Sequence, residues 1–386
     1  MHKPVQEEWT DFWSGCQQDY RSWPSKIWQD QQLITLKLSV DTEQIRIRFS
    51  NRFGVEPIHF QSVLLSVLLP STGEVAKVPV LIDGKVEIKI CPGYQLISDP
   101  VEIKIAADTV IRIETKLAEP VALTSGLVMY SRQIAKVSNI SKEKEVSQKH
   151  LFRMVAENPK MQFIYGVAGI DLPQKIVKKK VVFFGDSLVQ QGFITDGLQL
   201  RIPKDDYLNI ALVNRGIGGS RILTASDPNI DPYERHGRSG LERFETDTFS
   251  TGAVDSVIVL HGINDILTAY NDSGKEHFSL ENVIFGLKQY VKLAHSHGAA
   301  CQLCTLMPFG RSIFYSDKLE TLRQSVNEWI RTEKFADGYF DLDLAVAQAG
   351  NPQNLDLRFD SGDGIHLNMS GGQKVAAAID IDKLQQ

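Results

Sequence analysis

The sequence predicts two domains built on different patterns: an antiparallel β-sandwich, jelly-roll-like, over residues 1–175, and an α/β domain with a parallel sheet over residues 176–386. Three observations carry this. At 386 residues the chain exceeds what one ordinary core supports. Up to about residue 115 its apolar residues recur at every second position. After residue 180 they come as short unbroken runs separated by helical spacing.

In the first part, Ile34, Leu36, Leu38 and Val40 alternate with Thr35, Lys37 and Ser39, and Ile45, Ile47 and Phe49 with Arg46 and Arg48. Val86, Ile88 and Ile90 alternate with Glu87 and Lys89 behind an Asp83-Gly84 turn signal. Val101, Ile103 and Ile105 alternate with Glu102 and Lys104, and Ile111 and Ile113 with Arg112 and Glu114. A strand turns successive side chains to opposite faces, so alternation marks strands with one buried and one wet face. Several of them between Gly, Pro and Asp turns mark an antiparallel sandwich. Trp9, Trp13, Trp23 and Trp28 lie before residue 29; we read them as packing rather than as a sugar-binding platform. The pattern weakens over residues 139–180, around the charged run Ser141-Lys142-Glu143-Lys144-Glu145 and Lys178-Lys179-Lys180. The domain boundary is placed near residue 175.

The second part opens with the apolar strand Val181-Val182-Phe183-Phe184. Further strands are expected at Ala211-Leu212-Val213-Asn214, at Ser256-Val257-Ile258-Val259-Leu260, at Ala299-Ala300-Cys301-Gln302-Leu303-Cys304-Thr305-Leu306, and at Gly338-Tyr339-Phe340-Asp341-Leu342. Between them, residues 282–297 carry Val283, Leu287, Tyr290, Val291 and Ala294 on one helical face. Residues 317–335 do the same with Leu319, Leu322, Val326 and Ile330. Ser370-Gly371-Gly372-Gln373 predicts a capping box that opens the last helix. Apolar strands alternating with helices mean a parallel sheet covered on both faces, whose function sits at the carboxyl ends of the strands.

Composition removes several classes. A net charge of −5 gives no electrostatic case for nucleic acid or an anionic membrane surface. No apolar run is long enough to span a bilayer. The four cysteines, Cys16, Cys91, Cys301 and Cys304, make no disulfide framework. Cys301 and Cys304 form a C-x-x-C without a second half, and we read them as buried strand residues. His295-Ser296-His297 has no third ligand and is read as a solvated pair. No metal and no cofactor is expected. The first nine residues lack the apolar stretch of a signal peptide. The expectation is a cytoplasmic protein, or a secreted one if a leader has been trimmed.

Four short motifs fall where strands end. Gly185-Asp186-Ser187-Leu188 places Ser187 at a strand-to-helix turn, and Asp186 is expected to cap and brace it. Gly216-Ile217-Gly218-Gly219 allows close backbone approach, and an N–H there can face an anion. It is no dinucleotide fingerprint, because the third glycine of G-x-G-x-x-G would fall at Arg221. Gly262-Ile263-Asn264-Asp265 offers the Asn264 amide as a donor. In Asp363-Gly364-Ile365-His366, an Asp three residues before a His on a turn can hold its Nδ1–H and leave Nε2 free as a base.

Together these blocks resemble the SGNH (GDSL-type) hydrolases, a family recognised by blocks bearing Ser, Gly, Asn and His; the match spans roughly residues 178–384. The resemblance implies a flavodoxin-like three-layer fold with strand order 2-1-3-4-5. It implies catalysis by Ser187, His366 and Asp363 and an oxyanion hole from the N–H groups of Ser187 and Gly219 and the Asn264 side chain. Arg46-Ile47-Arg48-Phe49-Ser50-Asn51-Arg52-Phe53-Gly54, Ile97-Ser98-Asp99-Pro100-Val101 and Gly240-Leu241-Glu242-Arg243-Phe244 are similar to a subgroup with an N-terminal β-rich domain, the esterase-like proteins grouped with a rumen xylanase-associated enzyme. Relatives with that layout are often secreted, and the expectation of a start without a signal peptide departs from this.

The Gly-x-Ser-x-Gly elbow of α/β-hydrolases is absent around Ser187. The polar, Pro- and Gly-rich stretch 223–250 reads as a loop without the apolar face of an interfacial lid. The expected substrate is a small-molecule or saccharide ester with a short acyl group. Alternatives are acyl transfer by the same site, and a glycan-binding protein carrying an inactive hydrolase domain. The oligomeric state is not written in the sequence.

Overall fold

A computed structural model describes residues 8–21, 25–27, 31–68, 75–139, 161–202, 209–225, 237–269 and 279–384. Trp23, Trp28, the 141–145 charge run and residues 226–236 lie outside them. The chain divides into two compact units, residues 1–178 with 203–211, and residues 179–202 with 212–386.

In the first unit one sheet runs in the order Trp9–Ser14, Gly166–Pro173, Thr42–Ser50, Val101–Ile105, with Gln95–Ile97 also on Thr42–Ser50. A second runs Ala135–Asn139, Gln31–Lys37, Val110–Leu117, Ile58–Leu68, Val75–Pro79, with Ile88–Ile90 also on Ile58–Leu68. The pairings are antiparallel. The period-two sequence becomes period-two burial, as in Val101–Ile105, where Val101, Ile103 and Ile105 are inside and Glu102 and Lys104 outside. Ile47 and Phe49 of one sheet and Ile34, Leu65 and Ile113 of the other share one apolar cluster. Two sheets with a common core make a sandwich.

One strand is shorter than its alternation suggests. Asp83 and Gly84 adopt φ of 51° and 72° between bridged Ile82 and Lys85, a tight two-residue turn. The Asp99 carboxylate accepts both turn N–H groups, at 3.1 and 2.8 Å. The chain then leaves the ladder until Ile88, so Val86 is exposed. Trp9 and Trp13 are half-buried, Trp9 beneath the Arg46 guanidinium at 4.3 Å.

Among the described residues, the central sheet of the α/β unit has five strands, β1 (Lys179–Gly185), β2 (Ile210–Gly216), β3 (Ser256–Leu260), β4 (Ala300–Cys304) and β5 (Gly338–Phe340). They lie in the order β2-β1-β3-β4-β5. The pairs β1–β3, β3–β4 and β4–β5 are parallel. The helices are α1 (Ser187–Gln190), α2 (Phe193–Gln199), α3 (Gly240–Phe249), α4 (Ile263–Leu267), α5 (Leu280–Ser296), α6 (Asp317–Thr332), α7 (Leu342–Val346) and α8 (Met369–Ala378). They pack in two groups, α3 on α5 and α5 on α6, and α2 and α7 on α8, giving a three-layer α/β unit.

Local chemistry moves some boundaries. The end of the stretch read as loop is helix α3, opened by a capping box between Ser239 and Glu242. Helix α5 starts earlier than its apolar face, because Ser279 and Asn282 form a reciprocal cap. Helix α6 stops at Thr332, where Glu333 turns extended. The last helix is capped by Asn368, whose side chain accepts from Gly371 N; Ser370 lies within the first turn. Asn at this position satisfies the free N–H as well as Ser does. Its amide also donates to the carbonyls of Arg358 and Asp360, tying the helix start to the preceding loop. Strand β5 ends at Phe340 because Asp341 caps α7. Cys301 and Cys304 are buried free thiols. Burial pushes both thiols up, with Asp337 adding to the effect at Cys301.

Candidate active site

Ser187 is the first residue of α1, separated from β1 by Asp186 alone. Its Oγ lies 2.8 Å from His366 Nε2, and His366 Nδ1 lies 2.6 Å from Asp363 Oδ2. Burial alone would push the Asp363 carboxyl up. Hydrogen bonds from the His366 side chain and N–H, with the His366 charge, reverse this and hold it well below the usual carboxylate range. An ionised carboxylate only accepts, so the proton belongs on Nδ1 and the Nε2 lone pair faces the serine hydroxyl. The orienting group is part of the same turn: Asp363 Oδ1 accepts the N–H of Ile365 at 3.0 Å and of His366 at 2.8 Å.

Strand β2 runs on past Asn214, so Arg215 and Gly216 belong to it rather than to the loop after it. Beyond them Gly219 has φ of 75°, a left-handed conformation that favours glycine. The turn runs against the serine: a Cβ placed on Gly218 would lie 3.7 Å from Ser187 Cβ and 2.5 Å from Gln190 Oε1. Among the described residues, no acceptor takes the backbone N–H of Ser187 or of Gly219. Asn264 is the second residue of α4, whose N-cap is Gly262. Its Nδ2 donates to Ser220 O at 3.1 Å, which uses one of its two amide hydrogens. The structure thus brings Ser187, His366 and Asp363 into direct contact, sets the Gly218-Gly219 turn beside Ser187, and ties Asn264 to the residue after Gly219.

Asp186 braces the turn as its N-cap, Oδ1 accepting from Leu188 N at 3.0 Å. Burial pushes its carboxyl up to about 7 against that bond and the nearby His366 and Arg243 charges. Among the described residues its Oδ2 is buried without a hydrogen-bond partner. Asp265 is pushed to about 7 as well, first by burial, and accepts from Ile222 N at 3.0 Å with each oxygen.

Three further residues stand behind these. Arg243, buried in α3, donates to the carbonyls of Arg215 at 3.0 Å and Gly185 at 2.7 Å and to Ser220 Oγ at 3.4 Å. Its guanidinium lies 4.1 Å over the Phe184 ring. His261 directly follows β3, with Nδ1 2.8 Å from the Tyr290 hydroxyl and Nε2 3.0 Å from Ser220 O. The helical spacing assigns Tyr290 only to the core face of α5, and no motif marks His261. The available signal was a polar ring at the carboxyl end of an otherwise apolar strand. His295 and His297 meet separate carboxylates, Asp337 at 2.8 Å and Glu245 at 2.9 Å.

Residues 183–374 match the family described as GDSL-like Lipase/Acylhydrolase. The second unit is a GDSL-like lipase/acylhydrolase domain. The protein is accordingly a hydrolase of ester bonds, and an antiparallel β domain precedes its catalytic fold. Solved structures similar to it include a GDSL-like lipase from Bacteroides thetaiotaomicron, at 16% identity over 54% of this chain and 88% of that one, with a TM-score of 0.38. An acetyl xylan esterase shares 26% identity over 52% of this chain and 96% of its own, with a TM-score of 0.39. An acetylxylan esterase from Geobacillus stearothermophilus shares 20% over 53% and 94%, with a TM-score of 0.38. No curated protein matches the sequence. Among the described residues, no helix of this esterase is long and apolar enough to cross a membrane.

Proposed function

We propose that this domain is a serine carboxylic-ester hydrolase that works through an acyl-enzyme, on short acetyl-type esters of carbohydrates or other polar alcohols. The continuous contact from Ser187 Oγ through His366 to Asp363 carries the reading. His366 Nε2 takes the hydroxyl proton as Ser187 Oγ attacks the ester carbonyl carbon, while Nδ1–H stays on Asp363. The tetrahedral oxyanion is held by the N–H groups of Ser187 and Gly219 and by the second amide hydrogen of Asn264. The carbon–oxygen bond to the alcohol breaks, and the alcohol leaves with the proton from Nε2. Water, deprotonated by the same nitrogen, then releases the acid and restores Ser187.

The lean to short acyl groups rests on the polar sequence of residues 223–250, which supplies no broad apolar face for a long chain. A p-nitrophenyl ester series from acetate to octanoate tests it. We expect kcat/KM to fall with acyl length; a rise toward octanoate contradicts the short-acyl reading. Product analysis with an added acceptor alcohol separates hydrolysis from transfer, and preferential acylation of the alcohol would reassign the site as an acyltransferase.

A further inference from the structure

We infer that Tyr290 and His261 are positioning residues of the oxyanion hole, the Tyr290 hydroxyl fixing which ring nitrogen of His261 carries its proton. This rests on the serine-hydrolase reading of Ser187. His261 is fully enclosed, and its two nitrogens meet different partners: Tyr290 Oη at 2.8 Å on Nδ1 and the Ser220 carbonyl at 3.0 Å on Nε2. A carbonyl only accepts, so Nε2 carries the hydrogen; Nδ1 is then a lone pair, and the tyrosine hydroxyl donates to it. Burial, reinforced by the Arg243 charge, pushes the ring pKa down to about 3, so the ring stays neutral.

The Ser220 carbonyl is the shared point. It accepts from His261 Nε2 and, at 3.1 Å, from Asn264 Nδ2. Holding one Asn264 hydrogen there fixes the amide plane and aims the other. Ser220 directly follows Gly219, so the same anchor steadies the turn that offers the Gly219 N–H. Arg243 ties in the remaining pieces through Ser220 Oγ and the carbonyls of Gly185 and Arg215, which lie just ahead of the serine and glycine turns.

A second observation is independent of the hydrogen bonds. A Cβ on Gly240 would lie 1.8 Å from Tyr290 Oη and 2.6 Å from His261 Cε1. Helix α3 therefore begins with a residue that leaves room for this hydroxyl and ring, in the same helix that supplies Arg243.

The test is Tyr290→Phe, alone and with Asn264→Ala, with kcat counted per active site titrated by a phosphonate ester. That normalisation removes misfolded protein, so a purely structural role leaves kcat per site unchanged. We expect Tyr290→Phe to lower kcat roughly three- to tenfold, the scale of one net hydrogen bond, with KM unchanged. In the Asn264→Ala background the same change should add little, because both act on one donor. His261→Gln, which keeps a donor for Ser220, should retain more activity than His261→Leu. Nitrogen-15 NMR of wild-type His261 should show a neutral ring protonated on Nε2. An Nδ1–H tautomer, an unchanged kcat per site in Tyr290→Phe, or the same loss in both backgrounds overturns the inference while Ser187-dependent turnover persists. Absence of that turnover in the wild type overturns the serine-hydrolase reading itself.

Discussion

In the N-terminal sandwich the buried charges meet opposite charges: Arg48 pairs with Asp171, and Asp11 adds to the field that raises the arginine's pKa against its burial. In the α/β unit, by contrast, Asp186 and Asp265 are buried against backbone N–H groups, and His261 against a hydroxyl and a carbonyl. The same unit also contains paired cases: Arg323, fully buried between Glu320 and Asp343 at 2.6 Å each, and Arg243 with Asp247 at 3.2 Å. The difference lies in what compensates the charge. An ion pair fixes both ionisation states and serves the fold. A carboxyl or imidazole held by neutral partners has its state set by its surroundings, and such groups gather at functional sites. Here they surround the turns that carry Ser187, Gly219 and Asn264.

Substitutions that remove a single charge or a single donor sharpen this contrast. The largest effect is expected for Asp363→Asn, which leaves a side chain able to stabilise the wrong tautomer of His366; kcat should fall by about 10⁴, measured on p-nitrophenyl acetate. Next is Asp171→Asn in the sandwich. It removes the hydrogen-bonded partner of Arg48, with Asp11 as the remaining countercharge, and should cost about 3 kcal/mol of stability in urea unfolding; a cost below about 1 kcal/mol, that of an ordinary surface pair, would break the comparison. Asn264→Ala should lower kcat by about 10²–10³ through loss of one oxyanion donor, with KM little changed; a KM effect alone would place Asn264 in substrate binding.

The smallest effect belongs to Asp265→Asn, since Asn still accepts from Ile222 N–H. Its signature is in pH. The unfolded carboxyl loses its proton near the ordinary value of about 4, the folded one only at about 7. Between them the folded state binds more protons, so this group makes stability fall as pH rises across that window. The variant should lack this decline, seen as a gain in unfolding midpoint over wild type from pH 4.5 to 7.5. A gain that stays constant with pH would show that Asp265 is ionised throughout.

Much of this molecule was legible in the sequence because its signals are local. Period-two runs such as Val101 to Ile105 report their own burial, and unbroken runs such as Val181 to Phe184 report a strand covered on both faces. The blocks at Ser187, Gly219, Asn264 and His366 are each a few contiguous residues at a strand end or loop. The Asp363–His366 contact is written in a three-residue spacing. What escaped is tertiary or a matter of degree. Tyr290 carries the same helical spacing as any core residue, and its hydroxyl acquires a role only where Gly240 leaves space and His261 presents a nitrogen. The helix at 240–249 was hidden by its polar residues, although Ser239 and Glu242 stand at capping-box spacing. Asn368 displaced the expected serine cap because both side chains accept equally well and only the neighbouring loop decides between them.

The central claim is that Ser187 is the nucleophile and His366 its base. Stopped-flow hydrolysis of p-nitrophenyl acetate by wild type, Ser187→Ala and His366→Ala tests it most directly. Wild type should turn over with covalent acetylation at Ser187 visible by mass spectrometry of the quenched enzyme, and both variants should lose turnover and adduct. Equal rates in wild type and Ser187→Ala, or acetyl-enzyme at another residue, would contradict the account.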